Sequence, residues 1–219
     1  MRLCLSLLIL PLAGGLACEP TYNYVGYKMH KQFPLDGDRN WTYQSDDETV
    51  TYEMLVEKED PPSTSDGYEV YTFAYYNDTD GTLLHEVDWS SDSINGVAIH
   101  GYRDYEGSGG DDTGGLEAND SQVFDPPIIF ADDDMAPGAS VTTTTGGWTF
   151  TSTLEVSEPC PNPWVEDWND CLKMVLEDDG SGSLVSGNYW LVPRYGVAWM
   201  RRTVDADTWK LRDADWTAD

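Results

Sequence analysis

Basic residues are scarce in this chain, in which 219 residues include 12 Lys and Arg against 40 Asp and Glu, a formal net charge of −28. Such a surface repels phosphate backbones, so the composition excludes nucleic acid as a partner. Histidine and cysteine are rare as well, with three and four residues. The acidity does not indicate disorder, because 40% of the residues are hydrophobic and nine Trp and thirteen Tyr are present.

Long hydrophobic runs are also missing, with one exception at the N-terminus. Arg2 precedes an apolar run from Leu3 to Leu12, and small residues at 13–17 lead to Cys18. The run is too short to span a bilayer and is typical of a secretory signal.

The end of this signal, Gly15-Leu16-Ala17-Cys18, resembles the lipobox of bacterial lipoproteins. The resemblance implies cleavage after Ala17 and lipid attachment to Cys18; the alternative is an ordinary cleaved signal that leaves Cys18 unlipidated. With Glu19 as the next residue, resemblance to enteric lipoproteins implies the outer membrane of a bacterial cell envelope. Whether the domain faces the periplasm or the cell surface stays open.

The chain therefore divides into a signal peptide at 1–17, a lipid anchor and tether at 18–32, and a β domain at 33–219. About 200 residues remain after cleavage, a length that suits one large β domain or two small ones and that buries a real core. No second apolar run approaches membrane-spanning length, so lipid on Cys18 is the predicted link to the membrane.

The number and spacing of the cysteines are typical of an exported protein. Cys4 leaves with the signal, and Cys160 and Cys171 remain as a pair eleven positions apart. In an oxidising compartment such a pair predicts a disulfide that closes a local loop, with a stabilisation of about 2–3 kcal/mol. Residues 163–168 within that loop predict a short helical turn.

Alternation of apolar and polar residues marks the strands. Residues 50–57 place Val50, Tyr52, Met54 and Val56 on one face, and residues 148–156 repeat this two-residue period with threonines on the other face. Further strands are predicted at 68–76, 97–105, 172–177, 189–192, 197–200 and about 209–211, with a short edge strand at 126–130. The sequence thus predicts an all-β protein, a single antiparallel meander sheet curved into a half-open barrel or a sandwich.

Two motifs carry a second resemblance. Phe33-Pro34-Leu35 with the segment 40–43, and the segment 189–197, resemble the opening and closing motifs of uncharacterised exported β-sheet proteins. That group resembles the half-open β-barrels of lipoprotein carriers. The resemblance implies a curved antiparallel sheet around an apolar cavity.

Catalytic patterns are absent. The nucleophile pattern Gly-x-Ser-x-Gly does not occur, and the segment from His85 to Trp89 begins like a metalloprotease motif but has Trp89 in place of the second histidine. We therefore expect no catalytic centre and interpret His85 as an exposed histidine on a strand.

Clustered aspartates near glycine supply the oxygen ligands that calcium prefers. The candidate ligands lie in two turns and are Asp36, Asp38 and Asn40, and Asp78 and Asp80; residues 132–134 form a third acidic cluster. None matches the twelve-residue calcium loop, so acidic turns without metal are the alternative. No other cofactor is expected.

Aromatic residues in the second half offer an apolar site. We expect Trp148, Tyr189, Trp190 and Trp199 either to line a cavity for an apolar or lipid-like ligand or to fill it. The preferred function is therefore a non-enzymatic, lipid-anchored binding or carrier module. The alternative is a structural or adhesive surface protein, with or without calcium, and the sequence leaves the ligand and the oligomeric state open.

Overall fold

The computed structural model describes residues 27–35, 39–45, 53–58, 62–105, 118, 120–155, 158–160, 170–180, 183–193, 195–203 and 208–216. One four-residue helix, α1, covers Met29–Gln32. The strands of the described residues are β1 Tyr27–Lys28, β2 Arg39–Ser45, β3 Glu53–Lys58, β4 Ser63–Ser65, β5 Tyr68–Asn77, β6 Leu83–Asp92, β7 Gly96–Asp104, β8 Asp120–Ala131, β9 Asp134–Met135, β10 Ser140–Thr145, β11 Trp148–Leu154, β12 Glu158–Pro159, β13 Asp170–Asp178, β14 Gly187–Val192, β15 Gly196–Arg202 and β16 Trp209–Trp216.

One large antiparallel sheet carries most of these strands. Its order is β10-β11-β13-β14-β15-β16-β2-β3-β5-β6-β7-β8, with β4 and β12 added beside β5 and β13. β16 pairs with β2, so that the first and last strands of this sheet along the chain lie side by side in its middle. The prediction of an all-β protein with one curved antiparallel sheet is confirmed; of the two shapes expected, a half-open barrel or a sandwich, the sheet takes the barrel form and is nearly closed.

The two ends of the sheet meet along a seam between β8 and β10, which lie side by side. Side chains connect them in place of a backbone ladder. The backbone N–H of Ile129 on β8 donates to Thr143 Oγ1 on β10 at 3.1 Å, and the hydroxyl of Ser152, on the next strand β11, donates to the carbonyl oxygen of Phe130 on β8. The barrel is therefore closed at the seam by packing and hydroxyl groups.

Tight turns let neighbouring strands pair without long connections. Gly146 and Gly147, between β10 and β11, have φ values of 60° and 85°. Two successive positive φ values are the geometry of the hairpin turn that matches the twist of the flanking strands, and glycine adopts it without strain.

The inner face of the barrel is filled by large side chains. Phe130, Phe150 and Leu191 are fully buried there, and the rings of Phe130 and Tyr189 pack edge to face with centroids 5.3 Å apart. Because side chains alternate along a strand, each inner residue is followed by a residue on the outer face. Burial of this aromatic interior is the main source of the barrel's stability.

Two strands extend well beyond the predicted segments. A short edge strand was expected at 126–130. β8 does lie at the edge of the sheet, but it is longer than expected because its polar first half also pairs with β7. The last strand, β16, continues to Trp216 beyond the predicted segment, because its polar residues pair with β2. In both cases backbone pairing continues where apolar alternation ends.

The domain also begins earlier than expected. The prediction assigned residues 18–32 to a tether, but β1 pairs with β9 and Met29 is fully buried. Residues 27–32 therefore pack against the β domain, although this segment has no apolar periodicity.

Candidate functional site

A small apolar cavity lies inside the barrel, between the sheet and the N-terminal segment 27–35. Its volume is about 20 Å³, which is room for one water molecule. The lining residues are contributed by the N-terminal segment and by the inner faces of the sheet: Phe33, Pro34, Trp41, Tyr43, Val56, Phe73, Tyr75, Trp89, Tyr189, Gly196, Val197 and Met200. The barrel interior is thus largely occupied by its own side chains.

Phe33 is the aromatic residue of the N-terminal segment that packs inside the barrel beside the cavity. Its side chain is 3% exposed, and its ring centroid lies 4.7 Å from that of Trp89, 6.0 Å from that of Phe73 and 6.4 Å from that of Phe130. We call residues Tyr27–Leu35 the plug. It inserts a phenyl ring among rings from several strands.

Ionic contacts hold the plug against the turn that follows β8. The ring of His30 contacts the carboxylate of Asp133, and the Lys28 ammonium lies 3.5 Å from Asp133 and 3.0 Å from Asp134. Burial opposes ionisation of Asp133, but hydrogen bonds from His30 outweigh it, so that the pKa of this carboxyl is lowered. The plug is docked by both charge and apolar packing.

Two tyrosines beside the cavity make internal contacts, whereas the buried indole Nε1 of Trp89 has no hydrogen-bond partner among the described residues. The Tyr43 hydroxyl donates to the carbonyl oxygen of Val197 at 2.8 Å. The ring of Tyr75 stacks on that of His85, with centroids 4.2 Å apart, and burial raises the pKa of Tyr75 to about 12. The two tyrosines complete internal contacts rather than face an open ligand site.

His85 lies inside the barrel, so its interpretation as an exposed histidine was wrong. It is 1% exposed, and its Nε2 lies 2.6 Å from the Arg202 guanidinium. Burial, followed by the charge of Arg202, holds the pKa of His85 well below its usual value. Glu86 points to the outer face and pairs with Arg103. His85 and Glu86 of the metalloprotease-like motif therefore lie on opposite faces of the sheet, because adjacent residues of a strand face opposite sides.

The four aromatic residues expected to form an apolar site are not brought together. Tyr189 lines the cavity, whereas its neighbour Trp190 faces outward and stacks on Trp199, with ring centroids 4.8 Å apart. Trp148 packs on Phe150 at 6.1 Å, away from the cavity. Of the four, Tyr189 alone lines this cavity, because alternation along β14 places Tyr189 and Trp190 on opposite faces.

The predicted calcium ligands are only partly described. Asp36 and Asp38 lie outside the described residues, and Asn40 is an exposed residue of β2. Asp78 and Asp80 lie in the exposed turn after β5, where Asp80 accepts a hydrogen bond of 3.0 Å from the backbone N–H of Thr82. That bond lowers the pKa of Asp80. Within the described segments, no group of three or more Asp, Glu, His or Cys side chains is arranged to hold a metal ion.

The predicted disulfide joins Cys160 and Cys171, whose sulfur atoms are 2.00 Å apart. Cys171 lies on β13, and the pair contacts the outer face of β14 and β15 through Val192 and Ala198. The helical turn expected at 163–168 and the lipid attachment site at Cys18 lie outside the described residues.

Comparison of the chain with protein-family models, curated proteins and solved structures finds no match. In the described segments, no helix has the length and apolar character needed to cross a bilayer. The function of the protein is therefore inferred from the geometry of this chain.

The residues that sequence reasoning missed are those of the plug. Phe33 and Leu35 are buried apolar residues next to Pro34 in an otherwise polar stretch. An apolar triplet between polar segments was the signal available, but a segment that inserts into a barrel has no periodicity by which to predict its burial.

Proposed function

We propose that the protein is a non-enzymatic, lipid-anchored component of a bacterial cell envelope whose β domain acts as a structural or adhesive surface module. Cys18 carries the lipid, and the outer membrane is the site of anchoring. The observation that supports this role over the carrier role is the filled interior. A cavity of about 20 Å³ is far below the ~300 Å³ at which ligand pockets begin.

The filling is specific rather than a matter of loose packing. Phe33 contacts three aromatic rings, and Tyr43 and Trp41 have hydrogen-bond acceptors in the carbonyl groups of Val197 and Tyr195. A ligand would have to displace these contacts. The side chains that stabilise the barrel therefore occupy the space that an apolar ligand would need.

The carrier role remains a second candidate because of one observation. The cavity is lined almost wholly by apolar and aromatic groups, and one wall is the plug, a separate chain segment. If the plug withdrew, an acyl chain would meet an apolar surface. This candidate therefore requires displacement of Phe33.

Native mass spectrometry of protein purified from its own host tests both roles. The structural role predicts a mass increase of acyl chains on Cys18 and no further bound lipid; at least two chains are expected, because a single chain holds a protein only marginally. A co-purified lipid retained by the Cys18→Ser protein would contradict the structural role and favour the carrier.

Fractionation tests the anchor separately. Cys18→Ser is expected to move the protein from the membrane fraction to the soluble fraction, with Cys160→Ser as the matched cysteine control that stays in the membrane fraction. A Cys18→Ser protein that remains tightly bound to the membrane contradicts the proposed anchor.

A further inference from the structure

One polar group beside the cavity in the barrel lacks a protein partner. Trp89 lines this cavity and is 2% exposed, and its buried indole Nε1 has no hydrogen-bond partner among the described residues. A buried N–H that makes no hydrogen bond destabilises a fold, so nearly all such groups are satisfied, either by protein or by bound water. The Trp89 indole therefore needs an acceptor other than the described side chains.

Two tyrosine hydroxyls lie close to this indole. Tyr43 and Tyr75 line the same cavity. Burial raises the pKa of Tyr75 to about 12, and the nearby Trp89 N–H opposes this rise without forming a hydrogen bond to the hydroxyl. Burial also raises the pKa of Tyr43, and the neighbouring Tyr75 adds to that rise. One N–H group and two hydroxyl groups thus lie around one small space.

The hydrogen-bonding capacity of these groups defines the ligand. The indole N–H is a donor only, whereas a tyrosine hydroxyl both donates and accepts. The Tyr43 hydroxyl donates its proton to the carbonyl oxygen of Val197 at 2.8 Å, so its oxygen is left as an acceptor. A molecule bound here must accept a hydrogen bond from Trp89 and donate one to Tyr43.

The volume of the cavity limits the ligand to the size of water. It is about 20 Å³, and one water molecule needs roughly 10–15 Å³. A halide ion cannot donate to Tyr43, and a cation cannot accept from Trp89. None of the described residues that line the cavity is acidic, so a cation would also have no counter-charge there.

We propose that the cavity binds one water molecule, held by Trp89, Tyr75 and Tyr43 next to the ring of Phe33. The water accepts a hydrogen bond from the indole N–H, donates one to the Tyr43 oxygen and forms a third with the Tyr75 hydroxyl. Three hydrogen bonds are the usual number for a buried water. The inference depends neither on the lipid at Cys18 nor on the surface role of the domain.

The bound water connects strands that are not all neighbours. Trp89 lies on β6, Tyr75 on β5 and Tyr43 on β2, and β3 separates β2 from β5 in the sheet. The water therefore links side chains across the interior and fixes one polar point in an apolar core. An acyl chain in the same space would displace the water and leave the Trp89 N–H unsatisfied.

A high-resolution crystal structure of the mature chain tests the site directly. We expect a density peak at about 2.7–3.2 Å from Trp89 Nε1 and from both tyrosine oxygens. A structure without a peak at this distance from Nε1, or with a protein acceptor bonded to Nε1, overturns the proposal. Crystals soaked in bromide identify an anion, and an anomalous peak at this position also overturns the proposal.

Oxygen-17 magnetic relaxation dispersion tests the site in solution, because it counts the waters that stay bound for longer than the protein takes to tumble. Trp89→Phe removes the N–H donor and keeps an aromatic ring, and we expect it to lower this count by one. Tyr189→Phe is the control. It removes a hydroxyl from another lining residue, but that hydroxyl donates to the carbonyl oxygen of Val185, so the count is expected to stay the same.

An unchanged count in Trp89→Phe, or an equal fall in both variants, contradicts the proposed water. Urea unfolding verifies that each variant is folded, and the crystal structure of the original protein decides the question without any variant. Native mass spectrometry reads the acyl chains and any bound lipid separately, so failure of the water site is distinguished from failure of the proposed function.

Discussion

Replacement of Phe33 by alanine tests whether the plug is part of the core. The side chain is 3% exposed and lies against three aromatic rings beside a cavity of about 20 Å³. Loss of the ring removes ~2 kcal/mol of transfer free energy. A residual cavity on the order of 100 Å³, at ~24 cal/mol per Å³, adds a similar amount. We expect the free energy of unfolding to fall by about 4 kcal/mol.

The assay is urea unfolding of the mature chain followed by tryptophan fluorescence. Ile94→Ala serves as the control, because it also shortens an apolar side chain but at a residue that is 88% exposed, and it is expected to change stability by less than ~0.5 kcal/mol. A loss below ~1 kcal/mol for Phe33→Ala would refute the assignment of the plug to the core.

The variant also gives a test by ligand binding. An apolar cavity of this size stays dry and accepts a small aromatic molecule. Benzene is therefore expected to raise the melting temperature of Phe33→Ala and to leave the original protein unchanged, since a ligand stabilises only the state that binds it. An equal effect of benzene on both proteins contradicts the filled interior.

Three further predictions follow from other contacts. Cys160 and Cys171 are expected to resist thiol labelling until reductant is added, and Cys160→Ser to lower the free energy of unfolding by about 2–3 kcal/mol; labelling of both thiols in freshly isolated protein contradicts the bond. The pKa of His85 is lower in the folded state than in the unfolded state. The free energy of unfolding is therefore at its full value above the unfolded pKa, near 6.5, and falls by up to ~1.4 kcal/mol per pH unit as the pH drops from there toward the folded pKa. His85→Gln is expected to flatten urea midpoints measured between pH 7 and pH 5, and an unchanged slope contradicts this account. The pKa of Asp133 is also lowered, so its ionised carboxylate stabilises the fold above about pH 4, and this stabilisation is lost as the pH falls further. Asp133→Asn is expected to lower the free energy of unfolding by about 2 kcal/mol at pH 7 and to remove the part of the acid dependence that Asp133 causes. An acid profile identical to that of the original protein contradicts the contact with His30.

The strands could be predicted because burial on one side of a sheet imposes a two-residue period. The segment 148–156 alternates clearly and contains β11. The segment 68–76, predicted from its aromatic and β-branched residues, coincides with β5 to within one residue. The last residues of β16 could not be predicted in this way, because they are held by pairing with β2 rather than by apolar burial. Backbone hydrogen bonds do not require a particular side chain, so this pairing cannot be read from the sequence.

The candidate site was less accessible to sequence reasoning. Which residues face the interior depends on the register of each strand, and a bulge between Trp190 and Leu191 shifts that register relative to β15. Trp190 and Trp199 are register partners before that bulge and stack on the outer face, because alternation places Trp190 opposite to Tyr189. The filling of the barrel by Phe33 depends on a contact between distant segments, which no local pattern encodes.

The seam between β8 and β10 has a consequence for how the barrel opens. Amide protons in the central strands are held by neighbours on both sides, whereas Ile129 at the seam depends on the hydroxyl of Thr143. A hydroxyl group rotates away at far less cost than a backbone ladder separates. We therefore expect the barrel to open at this seam, so that the amides of β8 and β10 that face the seam take up deuterium before the amides of the same strands that are paired with β7 and β11.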